Sequence, residues 1–121
     1  MDRFALNNIS EGIIFIDSGR ISFVNKTLED FIQYSATELL NSDHAPFFTT
    51  SSEFKFFNMV RETQSLSIPM NDVFEVMNKS SEVISVNIKI SPYDQTSVCC
   101  VFGFPTQQEN YSKVQVRSML F

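Results

Sequence analysis

The chain has 121 residues, 43% hydrophobic and 19% charged, with fourteen acidic against nine basic side chains and a formal net charge of −5. That length fits one domain around a single core, and the acidic balance, with no two basic residues adjacent, offers no cationic patch for nucleic-acid phosphates or an anionic membrane surface. No stretch approaches the roughly 20 apolar residues of a membrane-spanning helix, and Met1-Asp2-Arg3-Phe4 does not begin a signal peptide, so a soluble, cytoplasmic domain is expected.

Phe4, Leu6 and Ile9 suggest a short amphipathic cap over residues 1–10. Ile13-Ile14-Phe15-Ile16-Asp17 is apolar on both faces, the pattern of a central or covered strand. Asp17-Ser18-Gly19-Arg20 then makes a tight turn in which Gly19 supplies positive φ, and a second strand runs from Arg20 to Asn25. Leu28, Phe31 and Ile32, at i, i+3 and i+4, predict a helix from Asn25 to Gln33 capped by Asn25. Ser35-Ala36-Thr37-Glu38 matches a capping box ahead of Leu39-Leu40. After a loop holding His44 and Pro46, Thr50-Ser51-Ser52-Glu53 repeats that spacing and predicts a helix to about Thr63. Phe54, Phe57 and Val60 fall down one side of it, and Phe56 and Met59 widen the apolar face.

The second half changes period. Val73 to Met77 reads as a strand after Pro69. Glu82 to Ile90 alternates, with Ile84, Val86, Ile88 and Ile90 on one face and Ser85, Asn87 and Lys89 on the other. Thr96 to Phe104 is a further strand, denser in apolar residues. It holds both cysteines, Cys99 and Cys100, whose side chains should point to opposite faces and so stay reduced, as suits a cytosolic compartment. Thr106-Gln107-Gln108-Glu109 again has capping-box spacing, so one domain over 1–106 should be followed by an exit helix over 107–121. Tyr111, Val114 and Met119 or Leu120 could line one face of that helix with nothing after Phe121 to bury it, so the chain is expected to be part of a longer one.

Catalytic chemistry finds little to work with. The single histidine, His44, lies in a polar loop away from any evident nucleophile. The cysteines have no neighbouring cation to activate a thiol. One His and two back-to-back Cys make a poor metal site, and three isolated glycines make no phosphate loop. The chain is not expected to be an enzyme within this domain, and no metal site is expected. His44 keeps one sharper role open, axial ligation of haem.

The order and spacing of these elements resemble the PAS domain family. The resemblance rests on Glu11-Gly12-Ile13-Ile14-Phe15-Ile16-Asp17, on Gly19-Arg20-Ile21-Ser22-Phe23-Val24-Asn25, on Tyr34-Ser35-Ala36-Thr37-Glu38-Leu39-Leu40, on the two late strands and on Thr106-x-x-Glu109. It implies an α+β fold: a five-stranded antiparallel sheet in the order 2-1-5-4-3, with short helices packed on one face. It also implies a sensory or dimerisation module of a larger signalling protein such as a histidine kinase, with haem, flavin, a small metabolite or no cofactor. Gln33 stands where the family usually has Gly before the Tyr-Ser pair, a change that the helix end tolerates only if its backbone avoids positive φ. The Asn-Cys-Arg-Phe-type motif of the family's flavin photosensors has no counterpart here, so flavin photochemistry is not expected. Pro105 replaces an acidic residue that often ends the last strand.

Two functions follow. In the first, a small ligand binds in an apolar cavity between sheet and helices, lined by Phe31, Phe54, Phe57, Val60, Phe74, Ile88 and Cys100, and the signal passes along the last strand to a downstream output domain of the same chain. In the second, the domain is a ligand-free homodimerisation or interaction module. The simplest alternative for each of the seven residues is core packing.

Overall fold

The first hairpin pairs β1 (Gly12–Asp17) with β2 (Arg20–Val24) in a computed structural model that describes residues 10–104. Phe4, Leu6 and Ile9, Pro105 and the expected exit helix over 107–121 lie outside the described residues. Ser18 and Gly19 both take positive φ, 51° and 80°, which is the two-residue turn whose twist matches that of the flanking strands. Sequence reasoning assigned the left-handed position to Gly19 and missed its partner Ser18.

Asn25 joins the hairpin to the first helix. Its amide is fully buried. Oδ1 accepts from the N–H of Ile13 at 2.9 Å and of Leu28 at 3.0 Å, and Nδ2 donates to the Glu11 carbonyl at 2.9 Å. One side chain thus caps α1 (Lys26–Ile32) and ties that cap to β1. Ser35 caps α2 (Ala36–Leu39) through the capping box read from the sequence.

Between these two helices Gln33 adopts φ 66° and ψ 21°. The condition under which Gln33 would be tolerated, a backbone that avoids positive φ, is therefore not met, and Gln33 is accommodated in another way. The backbone reverses at Gln33 as it would at a glycine, and the side chain is held by contacts across the domain.

The longest helix, α3 (Thr50–Leu66), departs from its sequence reading in two ways. Its N-cap is Thr49, which makes no side-chain capping bond, so the capping box expected over Thr50–Glu53 does not form. Those side chains are engaged elsewhere: Glu53 accepts from the Ala45 N–H at 2.7 Å, and the Ser52 hydroxyl accepts from the Glu75 N–H at 2.8 Å. The buried face is Ser52, Phe56, Val60 and Thr63, spaced i, i+4, i+8 and i+11. Phe54 is about 200° around the helix from Phe56 and is 72% exposed. The rings of Phe48 and Phe74 meet Phe56 at 4.8 and 5.9 Å, and that contact selects which phenylalanine turns inward.

The remaining strands are β3 (Met70–Met77), β4 (Val83–Pro92) and β5 (Ser97–Gly103). Together the five form one antiparallel sheet in the order β2-β1-β5-β4-β3, with β5 in the middle. The connection from β2 at one edge to β3 at the other carries all three helices across one face. The core between the layers contains the rings of Phe47, Phe48, Phe56, Phe74 and Phe102, beside Ile14, Ile16, Leu28, Ile88, Ile90 and Cys100. At one end Phe31 of α1 stacks on Phe104 with centroids 3.8 Å apart. That ring explains Gly12, where an added Cβ would lie 2.8 Å from Phe104 Cζ and 2.9 Å from Leu28 Cδ1.

Candidate functional site

The exposed side of α3 faces the β1–β2 turn and the loop before the helix, and between them opens a cleft of about 640 Å³. Helical spacing builds one wall. Phe54, Phe57, Arg61 and Gln64 recur at i, i+3, i+7 and i+10, a stripe on one side of the helix, with Thr50, Glu53 and Val60 beside it. Ser18 and Gly19 from the turn, and Asp43 and His44 from the loop, complete the lining.

The cleft is apolar in the middle and polar at its ends. Phe54 and Phe57 present their rings, and Val60 lies beneath, almost wholly buried. At the helix's N-terminal end, Glu53 and Asp43 flank His44. Nδ1 of His44 is 3.9 Å from Glu53 and Nε2 is 3.5 Å from Asp43. At the other end, Gln64 donates to the Thr96 carbonyl at 2.6 Å, and the Ser18 N–H donates to the same oxygen at 2.9 Å. That shared acceptor joins α3, the first hairpin and the β4–β5 turn. The turn itself is shaped by Asp94, whose Oδ1 accepts from the Ser97 hydroxyl at 2.6 Å and from the Ser97 and Thr96 N–H groups at 2.8 and 2.9 Å. These bonds, the Ser97 hydroxyl foremost, hold the Asp94 carboxyl below its usual range.

The seven pocket candidates fall into three places. Phe54, Phe57 and Val60 line the cleft. Phe74, Ile88 and Cys100 are buried in the sheet–helix core, where neighbouring rings fill the space beside Phe74. Phe31 belongs to the Phe104 stack. The structure therefore brings only three of the seven into one lining. The residues missed by sequence reasoning are Ser18, Gly19, Asp43, Thr50, Glu53, Arg61 and Gln64. A signal for two of them was present, because the Phe54–Phe57 repeat continues into Arg61 and Gln64. An apolar stripe that turns polar along one helix marks a face at least partly in solvent.

His44 lies at the rim, its side chain 80% exposed with carboxylates beside both ring nitrogens. Haem held through it would lie outside the domain's apolar interior and next to two negative charges, so the donor set does not fit haem. Among the described residues no group of three or more His, Cys, Asp or Glu could hold a metal ion, and no helix is long and apolar enough to cross a membrane. Burial pushes the Cys99 thiol up, and burial with the neighbouring Cys99 pushes Cys100 up further, which leaves both protonated and unreactive at neutral pH.

A five-stranded antiparallel sheet with helices on one face defines an α+β domain of the kind the sequence resemblance implied. The family model described as PAS domain matches residues 3–65, more than half of the 121-residue chain, and the chain belongs to that family. No curated protein matches the chain. Among solved structures it is similar to a domain of the sensory box sensor histidine kinase/response regulator from Geobacter sulfurreducens, at 15% identity and TM-score 0.71 over 84% of this chain and 89% of that one. It is similar to the LOV protein of Rhodobacter sphaeroides, at 10% identity and TM-score 0.73 over 89% of this chain and 66% of that one. A third is the PAS domain, in complex with ethanol, of a LuxR-family transcriptional regulator from Burkholderia thailandensis, at 13% identity and TM-score 0.67 over 84% and 96%. At these identities the likeness concerns the fold.

Proposed function

We propose that this PAS domain is the sensory module of a larger cytoplasmic signalling protein, for example a histidine kinase, and that it binds a small ligand in the cleft beside α3. The observation that carries this reading is the cleft itself. Two phenylalanine rings, one of them 72% exposed, stand beside convergent polar groups in a space of about 640 Å³, the composition typical of small-molecule sites. Exposing Phe54 costs free energy that a ligand covering it would recover. A bound ligand would bear on Gln64 and, through the Thr96 carbonyl, on β5, the strand from which the chain leaves the domain. Catalysis belongs to an output domain downstream, and no cofactor is required.

The test is a thermal-shift screen of the 121-residue protein against small metabolites, followed by amide NMR titration of each hit. The reading expects at least one compound that raises the melting temperature and perturbs Phe54, Phe57 and Gln64. Hits that perturb only other surfaces, or none across the library, would remove it.

One observation favours a second reading, a homodimerisation module. On the sheet face away from the helices, Phe15 packs against Phe23 at 5.7 Å and Tyr93 at 4.9 Å, and Tyr93 is 48% exposed. Sedimentation across a hundredfold concentration range decides it, since a monomer throughout excludes pairing through this face.

A further inference from the structure

We infer that the cleft selects a small organic anion, a monocarboxylate with an aryl or branched apolar body, whose head group pairs with Arg61. The inference rests on the cleft being the ligand site and adds the class of ligand.

Arg61 is the only Arg or Lys among the residues lining the cleft. Among the described residues it makes no ion pair, and its guanidinium donates to the neutral side-chain amide of Asn58. Lys26, Lys55 and Lys79 each face a carboxylate, at Asp30, Asp72 and Glu38. Arg61 thus keeps its charge and most of its five donors for a partner in the cleft, and a planar carboxylate is the partner a guanidinium fork matches.

The acids of the cleft are placed to restrict rather than to bind. Glu53 is engaged by the Ala45 N–H, and both Glu53 and Asp43 lie beside His44. Glu53 is eight residues before Arg61, a rise of roughly 12 Å along the helix. Phe54 and Phe57 fall between those ends. An anion with its head at Arg61 would lay its body over the two rings and stop short of the carboxylates. A dianion charged at both ends would bring its second charge against Asp43 and Glu53. Selection thus combines an attractive end with a repulsive one.

The experiment uses three probes of one shape, 4-phenylbutyrate, 4-phenylbutanol and 4-phenylbutylammonium, titrated into the 121-residue protein by calorimetry and amide NMR. The acid should bind with shifts along α3, the alcohol about tenfold more weakly, as the loss of one charge-assisted contact implies, and the ammonium more weakly still. Arg61→Gln should bring the acid down to the affinity of the alcohol without lowering the melting temperature, because Arg61 is exposed. Equal or tighter binding of the alcohol or the ammonium at the same residues would overturn the anion class and leave the cleft as a ligand site. Unchanged acid binding in Arg61→Gln would overturn it as well. If none of the three binds while a library compound perturbs the cleft, the class is wrong. If no library compound does so either, both readings fall.

Discussion

Oε1 of Gln33 accepts two hydrogen bonds from Ser80, at 3.0 Å from its backbone N–H and 2.7 Å from its hydroxyl, and so joins the end of α1 to the β3–β4 turn. The same residue holds φ at 66°, a conformation that burdens any side chain bearing a Cβ. A long amide that reaches Ser80 offsets that strain. Gln33→Ala keeps the strain and loses both bonds, whereas Gln33→Gly loses the bonds and the strain together. Urea unfolding should find the alanine variant less stable than the glycine variant by about 1 kcal/mol. Equal midpoints would mean that the backbone there relaxes.

Phe54 and Phe56 are two residues apart on α3 and should respond in opposite ways. Phe56→Ala opens the core among Phe48, Phe57 and Phe74 and is expected to cost about 3–5 kcal/mol. Phe54→Ala, at a site 72% exposed, should change stability by less than about 0.5 kcal/mol while weakening any ligand of the cleft. Denaturation of both variants measures the contrast directly.

Asn25→Ala removes the cap of α1 and leaves the Ile13 N–H buried without its acceptor. A loss of about 2–4 kcal/mol is expected from the cap and the orphaned donor together. Hydrogen exchange should report it first at the Ile13 and Leu28 amides.

Gly12→Ala forces a Cβ toward Phe104 and Leu28, for an overpacking cost of about 1–3 kcal/mol. In a Phe104→Ala background that cost should shrink without vanishing, because Leu28 Cδ1 still lies 2.9 Å from the added atom. Additive effects in the double-mutant cycle would show that the ring moves aside freely.

The Asp94 carboxyl is held below its ordinary value of 3.8, first by the Ser97 hydroxyl and then by the Thr96 N–H. A carboxyl depressed in the folded state adds stability above its unfolded value, and that contribution fades as pH falls through the folded one. Asp94→Asn should therefore lower the melting temperature at pH 7, and the gap should narrow below about pH 4. A gap constant with pH would mean that the carboxylate charge adds nothing to the turn.

The sheet was legible in the sequence because its signals are local. The alternation from Ile84 to Ile90, the turn at Asp17–Arg20 and the caps at Asn25 and Ser35 all lie within a few residues of the structure they specify. Strand order came from family resemblance rather than from pattern. The cleft was only half legible, because the face of α3 that turns inward is decided by Phe48 and Phe74, which reach the helix from a loop and from β3. Spacing alone placed Phe54 among the buried residues, and nothing local marks Ser18 or Asp43 as its neighbours. Gln33 failed differently, since its partner Ser80 is 47 positions away.

The carbonyl of Thr96 immediately precedes β5, which is bonded to β1 on one side and β4 on the other. A strand flanked in this way resists sideways displacement more than any edge strand, because it would have to break two ladders at once. In the proposed sensor the cleft would therefore work like a caliper with one fixed jaw. Its reference edge is anchored to the central strand of the sheet, while the opposing rings stand on the outer side of a helix. An occupant of the proposed site would meet a boundary that does not retreat, which leaves α3 as the side to yield to its size.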